Sequence, residues 1–424
     1  MASIFRHLDR KTIAGGIGNT LEWYDFAIYG YFAPIIAKQF FPSDDPTVGL
    51  IATFGVFAAG FMMRPIGGII IGHVADKLSR RAALTLSVAL MAIPTTAIAF
   101  LPTYSSVGLL APLLLTFLRL AQGLSVGGEY TGSVTYLVES APQKRRGLFG
   151  SFALVGCNVG ILTGSAAGAI VTSIISPEAL HEWGWRIPFL FGAFLGIAGV
   201  YLRNHEDEAE VVWDDPHGDD EPKFPLAYSV THHWKDMLHV IGVNVLNGIG
   251  YYIAFVYVTT YLVEYDGLTE NTALDINTAV MVLLAVLVPT FGALSDRVGR
   301  KPIMLAGAGG MVLFSYPLFL LLHSGSFPLI LIGQLGFAIV MSCFTGPLPT
   351  TMCEQFPSKI RVTAYSVSFN IPLALVGGTA PMVATFLIGF THNVFSPAFY
   401  AMAAAAIAFI TLMTMRETKD KPLA

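Results

Sequence analysis

Charge is what this sequence has least of. Only 12% of its 424 residues are Asp, Glu, Lys or Arg, about half the share usual in a soluble globular domain, while 54% are hydrophobic. A water-soluble fold of this size has nowhere to hide so much apolar surface. Cysteine is nearly absent too. Cys157, Cys343 and Cys353 all fall inside apolar stretches, so no disulfide framework and no thiolate metal site is expected. Nucleophile constellations and cofactor fingerprints are missing as well: Gly307-Ala-Gly309-Gly310 has neither the preceding strand nor the lysine of a nucleotide loop. An enzyme, a nucleic-acid binder and a metal or cofactor protein are therefore not expected, and a receptor is disfavoured because no segment is left for a signalling domain. The first apolar run carries Glu22 and Asp25 and no small-residue cleavage site, so it is expected to be a retained span and not a cleavable leader.

What is present instead is a series of apolar runs of about 20 residues, the length that crosses a bilayer core. Twelve are expected, at 13–36, 50–74, 83–102, 108–138, 147–175, 187–203, 238–263, 273–294, 302–322, 327–352, 360–391 and 396–415. If the N-terminus lies inside, 20 of the 24 Lys and Arg fall on inner segments. The positive-inside rule then places both termini in the cytoplasm of a multi-pass inner (plasma) membrane protein. The four remaining basic residues are Lys38 and Arg186 near outer ends, and Arg64 and Arg119 deep within spans.

Two motifs occur twice. Gly72-His-Val-Ala-Asp76-Lys77-Leu-Ser-Arg80-Arg81 after span 2 returns as Gly292-Ala-Leu-Ser-Asp296-Arg297-Val-Gly-Arg300-Lys301 after span 8, 220 residues later. Glu139-Ser-Ala-Pro142-Gln-Lys144-Arg-Arg146 after span 4 returns as Glu354-Gln-Phe-Pro357-Ser-Lys359-Ile-Arg361 after span 10, 215 residues later. One six-span plan is therefore duplicated, with an N-terminal bundle at 1–203, an acidic inter-domain loop at 204–236 and a C-terminal bundle at 237–424. Duplicated bundles of this kind hold cargo near the midplane between the halves.

The first of these motifs resembles the loop signature of the major facilitator superfamily. The likeness extends to its metabolite:proton symporter family through Gly18-Asn-Thr-Leu-Glu22-Trp-Tyr-Asp25-Phe in span 1, Arg64-Pro-Ile-Gly-Gly in span 2, and Arg119-Leu-Ala-Gln122-Gly-Leu-Ser-Val-Gly-Gly-Glu129-Tyr-Thr-Gly in span 4. Trp183-Gly-Trp-Arg186-Ile-Pro before span 6 belongs with them, and Ser342-Cys-Phe-Thr-Gly346 and Arg416-Glu-Thr are most similar to the proline/betaine branch. The resemblance implies an all-α membrane protein, with twelve transmembrane helices in two six-helix pseudo-symmetric bundles. It also implies alternating-access symport of a small carboxylate-bearing metabolite with protons. Its partners would be the substrate, protons and the lipid bilayer, with no obligate protein partner. Asp76, Arg80 and Arg81, with Asp296 and Arg300 in the second copy, would act as a latch between the halves on the inner side.

A charge at the bilayer centre is costly, so ionisable residues there are functional candidates. They are Glu22, Asp25, Arg64, Arg119 and Glu129. Glu22 and Asp25, three apart, share a face of span 1, and Arg64, twelve residues before Asp76, lies about 18 Å from the inner loop. No histidine is expected in the hydrocarbon, so the proton carrier should be a carboxylate, Asp25 or Glu22, with Arg119 as its movable partner or as the clamp on a substrate carboxylate. The resemblance links Arg119 and Gln122 to proton transfer. An alternative makes Arg64 a permanent structural partner of Asp25, and Glu129 faces either the inner vestibule or a packing neighbour.

Aromatic residues suit a cationic headgroup. Trp23, Tyr24 and Tyr29 in span 1, with Tyr251, Tyr252 and Tyr257 in span 7, are candidates for a cage, alternatively plain packing. In the second half, Asn247 and Tyr251 lie one turn apart, and Asn370 is a further polar candidate. Two deep arginines are few for a trianion such as citrate, so a proline- or betaine-like zwitterion comes first, an organic acid second, and a proton-driven exporter is the remaining rival. The glycines at 156, 160, 164 and 168 of span 5 are expected to pack closely against another helix.

Overall fold

The computed structural model describes residues 10–77, 80–125, 129–204, 225–419 and 421–423. Among these residues there is no strand. Nine helical stretches are long and apolar enough to cross a membrane: Pro46–Gly67, Leu110–Glu139, Gln143–Ile174, Trp234–Glu264, Glu270–Val298, Arg300–Leu322, Phe327–Cys353, Ser358–Thr391 and Ser396–Thr414. The helices Arg10–Tyr31, Arg80–Ala99 and Ile187–Asn204 supply spans 1, 3 and 6 and complete the expected twelve. The outer surface is what a lipid solvent selects, with Phe100, Ile174 and Phe390 exposed by 74%, 77% and 73%.

Several spans are less regular than their apolar runs suggest. Span 1 breaks at Phe32 and resumes as Ala33–Phe40, and Asp45 caps span 2 by accepting from the Thr47 N–H at 2.8 Å. Span 7 widens into a π-helical segment at Ile253–Tyr257 and span 11 into another at Leu373–Gly377, directly after Pro372. Proline has no N–H to give and clashes with the preceding turn, and a widened turn absorbs both defects. Residues 225–232, within the segment expected to be loop, form a helix that packs on spans 7 and 11. The acidic run 206–221 lies outside the described residues.

Spans 1–6 and 7–12 form two bundles, joined along seams of small residues. The longest seam sets span 5 against span 8. At one end of it the chains cross where neither has a side chain: a Cβ on Gly292 would lie 2.6 Å from the Gly147 carbonyl oxygen. Gly160 and Gly164 of span 5 pack closely on span 1, since a Cβ on Gly160 would meet the Thr20 carbonyl oxygen at 2.4 Å and one on Gly164 the Ala27 Cβ at 3.0 Å.

The halves are closed on each other at both ends. At the end that carries the repeated basic loops, the Asp296 carboxylate accepts from the Gly147 and Leu148 N–H groups at 2.8 and 2.9 Å, capping span 5 from the opposite half. Arg300 holds Asp296 at 2.7 Å and Glu354 at 3.4 Å, and Arg361 pairs with Glu139 of the first half. Asp296 of the second copy of the loop motif thus bonds directly across the two halves, with Arg300 holding it in place. The side chains of Asp76, Arg80 and Arg81 lie outside the described residues. At the far end, Asn277 of span 8 donates to the Tyr31 hydroxyl at 2.8 Å and to Ser165 at 3.2 Å, Gln334 donates to Asn277 at 2.7 Å, and Tyr31 donates to the Phe255 carbonyl at 3.1 Å. These uncharged bonds connect spans 1 and 5 to spans 7, 8 and 10.

The C-terminal residues fasten the basic end. Glu417 accepts from the backbone N–H groups of Arg300 (3.0 Å), Lys301 (2.9 Å), Thr418 (3.0 Å) and Lys419 (3.0 Å), capping span 9, and Thr418 donates to Glu354 at 2.6 Å. Partial burial pushes the Glu417 carboxyl up, but the four donors outweigh it and hold the group below the usual carboxylate range. A depressed folded-state pKa gives stability that is complete above the unfolded value of about 4.3 and is lost as pH falls through the folded value. Glu417→Gln should therefore cost about 1 kcal/mol near neutrality, the usual worth of a cap. The gap in thermal midpoint between wild type and variant, followed by scanning fluorimetry, should narrow as pH falls below about 4.

Candidate functional site

Asp25 is the centre of a buried polar cluster. Its side chain and that of Arg119 are each only 1% exposed, and Arg119 Nη1 donates to Asp25 Oδ2 at 2.7 Å. The other carboxylate oxygen, Oδ1, accepts from Thr95 Oγ1 and from Gln122 Nε2, both at 2.7 Å. Spans 1, 3 and 4 thus converge on one carboxylate, through residues expected from the sequence (Asp25, Arg119, Gln122) and one that was not (Thr95). The guanidinium lies 3.8 Å above the Tyr29 ring, whose hydroxyl donates to the Thr53 carbonyl at 3.0 Å. Tyr29 therefore supports Arg119 and does not join an aromatic cage.

Asp25 thus accepts from three donors on spans 3 and 4. The single Thr95 hydroxyl proton has two acceptors at 2.7 Å, Asp25 Oδ1 and the Met91 carbonyl. Arg119 Nε and Nη2 and Gln122 Oε1 have no hydrogen-bond partner among the described residues. An unmatched buried donor costs about 1–3 kcal/mol, so these atoms are open to a further hydrogen-bond partner.

A parallel pair lies one turn away. Arg64 Nη2 donates to Glu22 Oε1 at 2.9 Å, both groups buried. The expected alternative of an Arg64–Asp25 pair gives way to Arg64–Glu22, because each arginine reaches the carboxylate on its own side of span 1. Arg64 also stacks against Phe61, Phe26 and Trp23 at 4.2, 5.1 and 6.0 Å from their ring centroids. Each arginine thus pairs with one carboxylate, and with all four groups ionised their charges sum to zero.

Of the aromatic candidates, three come together across the halves. Trp23 of span 1 lies 6.4 Å from Tyr251 and 6.2 Å from Tyr252 of span 7, the second pair nearly parallel at 23°. Tyr24 instead donates to the Pro188 carbonyl at 2.6 Å, and Tyr257 packs edge-on to Phe54. The Tyr251 hydroxyl donates to Oδ1 of Asn158, at 2.5 Å. Asn158, in span 5, is fully buried and was missed in the sequence, though it is a lone carboxamide within the repeat of glycines. Asn247 donates to Asn244 at 3.2 Å, and Asn370 to Ser366 on its own helix. Glu129 begins the second part of span 4, but its side chain lies outside the described residues.

Comparison with known proteins agrees with this architecture. A family model described as sugar (and other) transporter matches residues 11–208 and 225–424, skipping the acidic segment between the halves. Among curated proteins, the chain is 36% identical over 426 residues to the proline/betaine transporter of Salmonella typhimurium (strain LT2), covering 98% of this chain and 85% of the relative. It is also 36% identical over 424 residues to the glycine betaine/proline/ectoine/pipecolic acid transporter OusA of Dickeya dadantii (strain 3937), covering 98% and 84%. Among solved structures, a D-xylose–proton symporter superposes with a TM-score of 0.77 at 19% identity over 98% of this chain and 99% of the other. The inward-open xylose transporter of E. coli gives 0.77 at 19%, over 97% of each.

Proposed function

We propose a cargo and a coupling ion for this chain, which belongs to the sugar (and other) transporter family and has the fold of the major facilitator superfamily. It is a secondary active transporter, a multi-pass membrane protein and not an enzyme. The cargo is a small zwitterion of the proline or glycine betaine type, and the ion moved with it is a proton. The observation that carries the reading is the balance of charge beside an aromatic group: Asp25 and Glu22 are each neutralised by an arginine, while the rings of Trp23, Tyr251 and Tyr252 converge from both halves. A neutral site with aromatic walls favours a cation that carries its own anion, since ring faces attract the cationic end and no surplus arginine recruits a di- or trianion. The names of the curated relatives support the same class.

Asp25 carries the proton in this scheme. Protonation removes the charge that holds Arg119, and the freed guanidinium changes the register between spans 1 and 4. The rings add a second coupling. Because Trp23 belongs to one half and Tyr251 and Tyr252 to the other, cargo contacts all three only when the halves close, so its binding energy goes into closure. Glu22–Arg64 is the static pair. Both termini are cytoplasmic, with bundles 1–203 and 237–424 moving about the site, and the distribution of Lys and Arg supports that orientation in a plasma membrane.

The test is uptake by proteoliposomes of labelled proline, glycine betaine, oxoglutarate and citrate, with an inward proton gradient imposed or collapsed. Gradient-dependent accumulation of a zwitterion is expected. Accumulation of an organic acid alone, or of nothing by a folded preparation, would remove this reading.

A further inference from the structure

We propose that Asn158 of span 5 is a specificity-determining residue, and that its amide N–H group, together with Trp23 Nε1–H and the Tyr252 hydroxyl, receives the carboxylate of the cargo. This rests on the zwitterion reading above and assigns the anionic end, which that reading left without a partner. Both deep arginines already pair with a carboxylate, Arg64 with Glu22 and Arg119 with Asp25, so an added carboxylate would compete with Glu22 or Asp25 for their charge, even though Arg119 Nε and Nη2 have no hydrogen-bond partner among the described residues. Neutral donors avoid that competition. Asn158 Nδ2, Trp23 Nε1 and the Tyr252 hydroxyl are fully shielded from solvent and have no hydrogen-bond partner among the described residues. They also belong together. Trp23 stacks on Tyr252 at 6.2 Å, Tyr251 lies 6.3 Å from Tyr252, and the Tyr251 hydroxyl fixes Asn158 by its oxygen, at 2.5 Å.

That last bond orients the amide. With Oδ1 occupied by the tyrosine hydroxyl, Nδ2 is the end that faces away from it, and it carries two hydrogens that nothing nearby accepts. Span 5 approaches span 1 closely at this level, since a Cβ on Gly160 would lie 2.9 Å from the Trp23 Cβ. The amide and the indole N–H are thereby held on adjoining helices of the same half. A carboxylate bound there would satisfy three unmatched donors at once, and its cationic partner would lie against the ring faces. A cargo with a hydroxyl in place of the carboxylate would leave donors unmatched, which is how a polar site rejects a near-isostere.

The experiment compares glycine betaine with choline, which keeps the trimethylammonium group and lacks the carboxylate, in proteoliposomes of wild type, Asn158→Asp and Asn158→Leu. The aspartate still accepts from Tyr251 but has no donor and repels an anion; the leucine removes the donor without adding charge. In both variants KM for betaine should rise by about tenfold or more while that for choline stays level or falls, so the betaine-to-choline ratio of kcat/KM drops by about the same factor. A merely structural role would depress both compounds together, and an unchanged ratio in either folded variant overturns the assignment of Asn158 alone. Wild-type protein that transports neither proline nor betaine overturns the zwitterion reading and this inference with it.

Discussion

Asp25→Asn should abolish uphill transport while sparing the movement of cargo down its own gradient. The substitution keeps the shape of the side chain, and its one carbonyl oxygen can still accept from Thr95 and Gln122, while its amide nitrogen, a donor, can no longer accept from Arg119; the three lie at 2.7 Å from the native carboxylate. It removes the titration. Without a protonation equilibrium to link cargo to the proton gradient, the accumulation ratio falls to about one, whereas counterflow of labelled against unlabelled cargo continues. Loss of counterflow as well would mean that Asp25 positions the helices and does more than carry a proton. Full accumulation by the variant would assign the proton to Glu22 or to the second part of span 4. The contrast between accumulation and exchange is the informative readout, because a misfolded variant loses both.

Gly292→Val should hold the protein open at the end with the basic loops. A Cβ there would lie 2.6 Å from the Gly147 carbonyl oxygen and 2.8 Å from the Ser151 Cβ, so the two helix backbones cannot approach as they do now. Overpacking of this kind costs about 1–3 kcal/mol, and all of it falls on the closed form, since spans 5 and 8 separate at this end when it opens. The equilibrium constant for closure should drop by about five- to 140-fold, and the rate of net uptake should fall with it. Cys353, fully buried in the closed form, lies among the residues of this end and gives a native reporter. Its labelling by a maleimide should be faster in the variant than in wild type. Slow labelling together with normal uptake would show that this crossing is not a moving contact.

The twelve spans were legible because a bilayer demands long apolar runs whatever the neighbouring helices do. The buried charges were legible for a related reason, since each one costs too much in hydrocarbon to be there by chance. What could not be read was who pairs with whom. Glu22 and Asp25 are separated by about 4.5 Å along their helix, less than the length of an arginine side chain, so spacing alone cannot tell which carboxylate Arg64 or Arg119 will reach. The choice is made by the register of spans 2 and 4 against span 1. Asn158 was passed over because the glycines around it announce close packing, and close packing is indeed present; nothing in that pattern says that a carboxamide in the same helix will meet Tyr251. The π-helical segments of spans 7 and 11 have no sequence signature at all, apart from Pro372 beside the second.

The balance of the four buried charges also determines what the membrane voltage can do. With Asp25 and Glu22 ionised against Arg64 and Arg119, the cluster is neutral, and an unloaded carrier returning across the membrane moves no charge on these groups. In the proposed symport a zwitterion adds none, so the proton would make the loaded step electrogenic, one positive charge per cargo, and the electrical field would act on that step alone. A charge moved across 100 mV is worth about 2.3 kcal/mol, enough for roughly fortyfold accumulation with no pH difference at all. Under that proposal the ion pairs of span 1 would act as a rectifier, letting the voltage pull the full carrier inward and leaving the empty one free to come back.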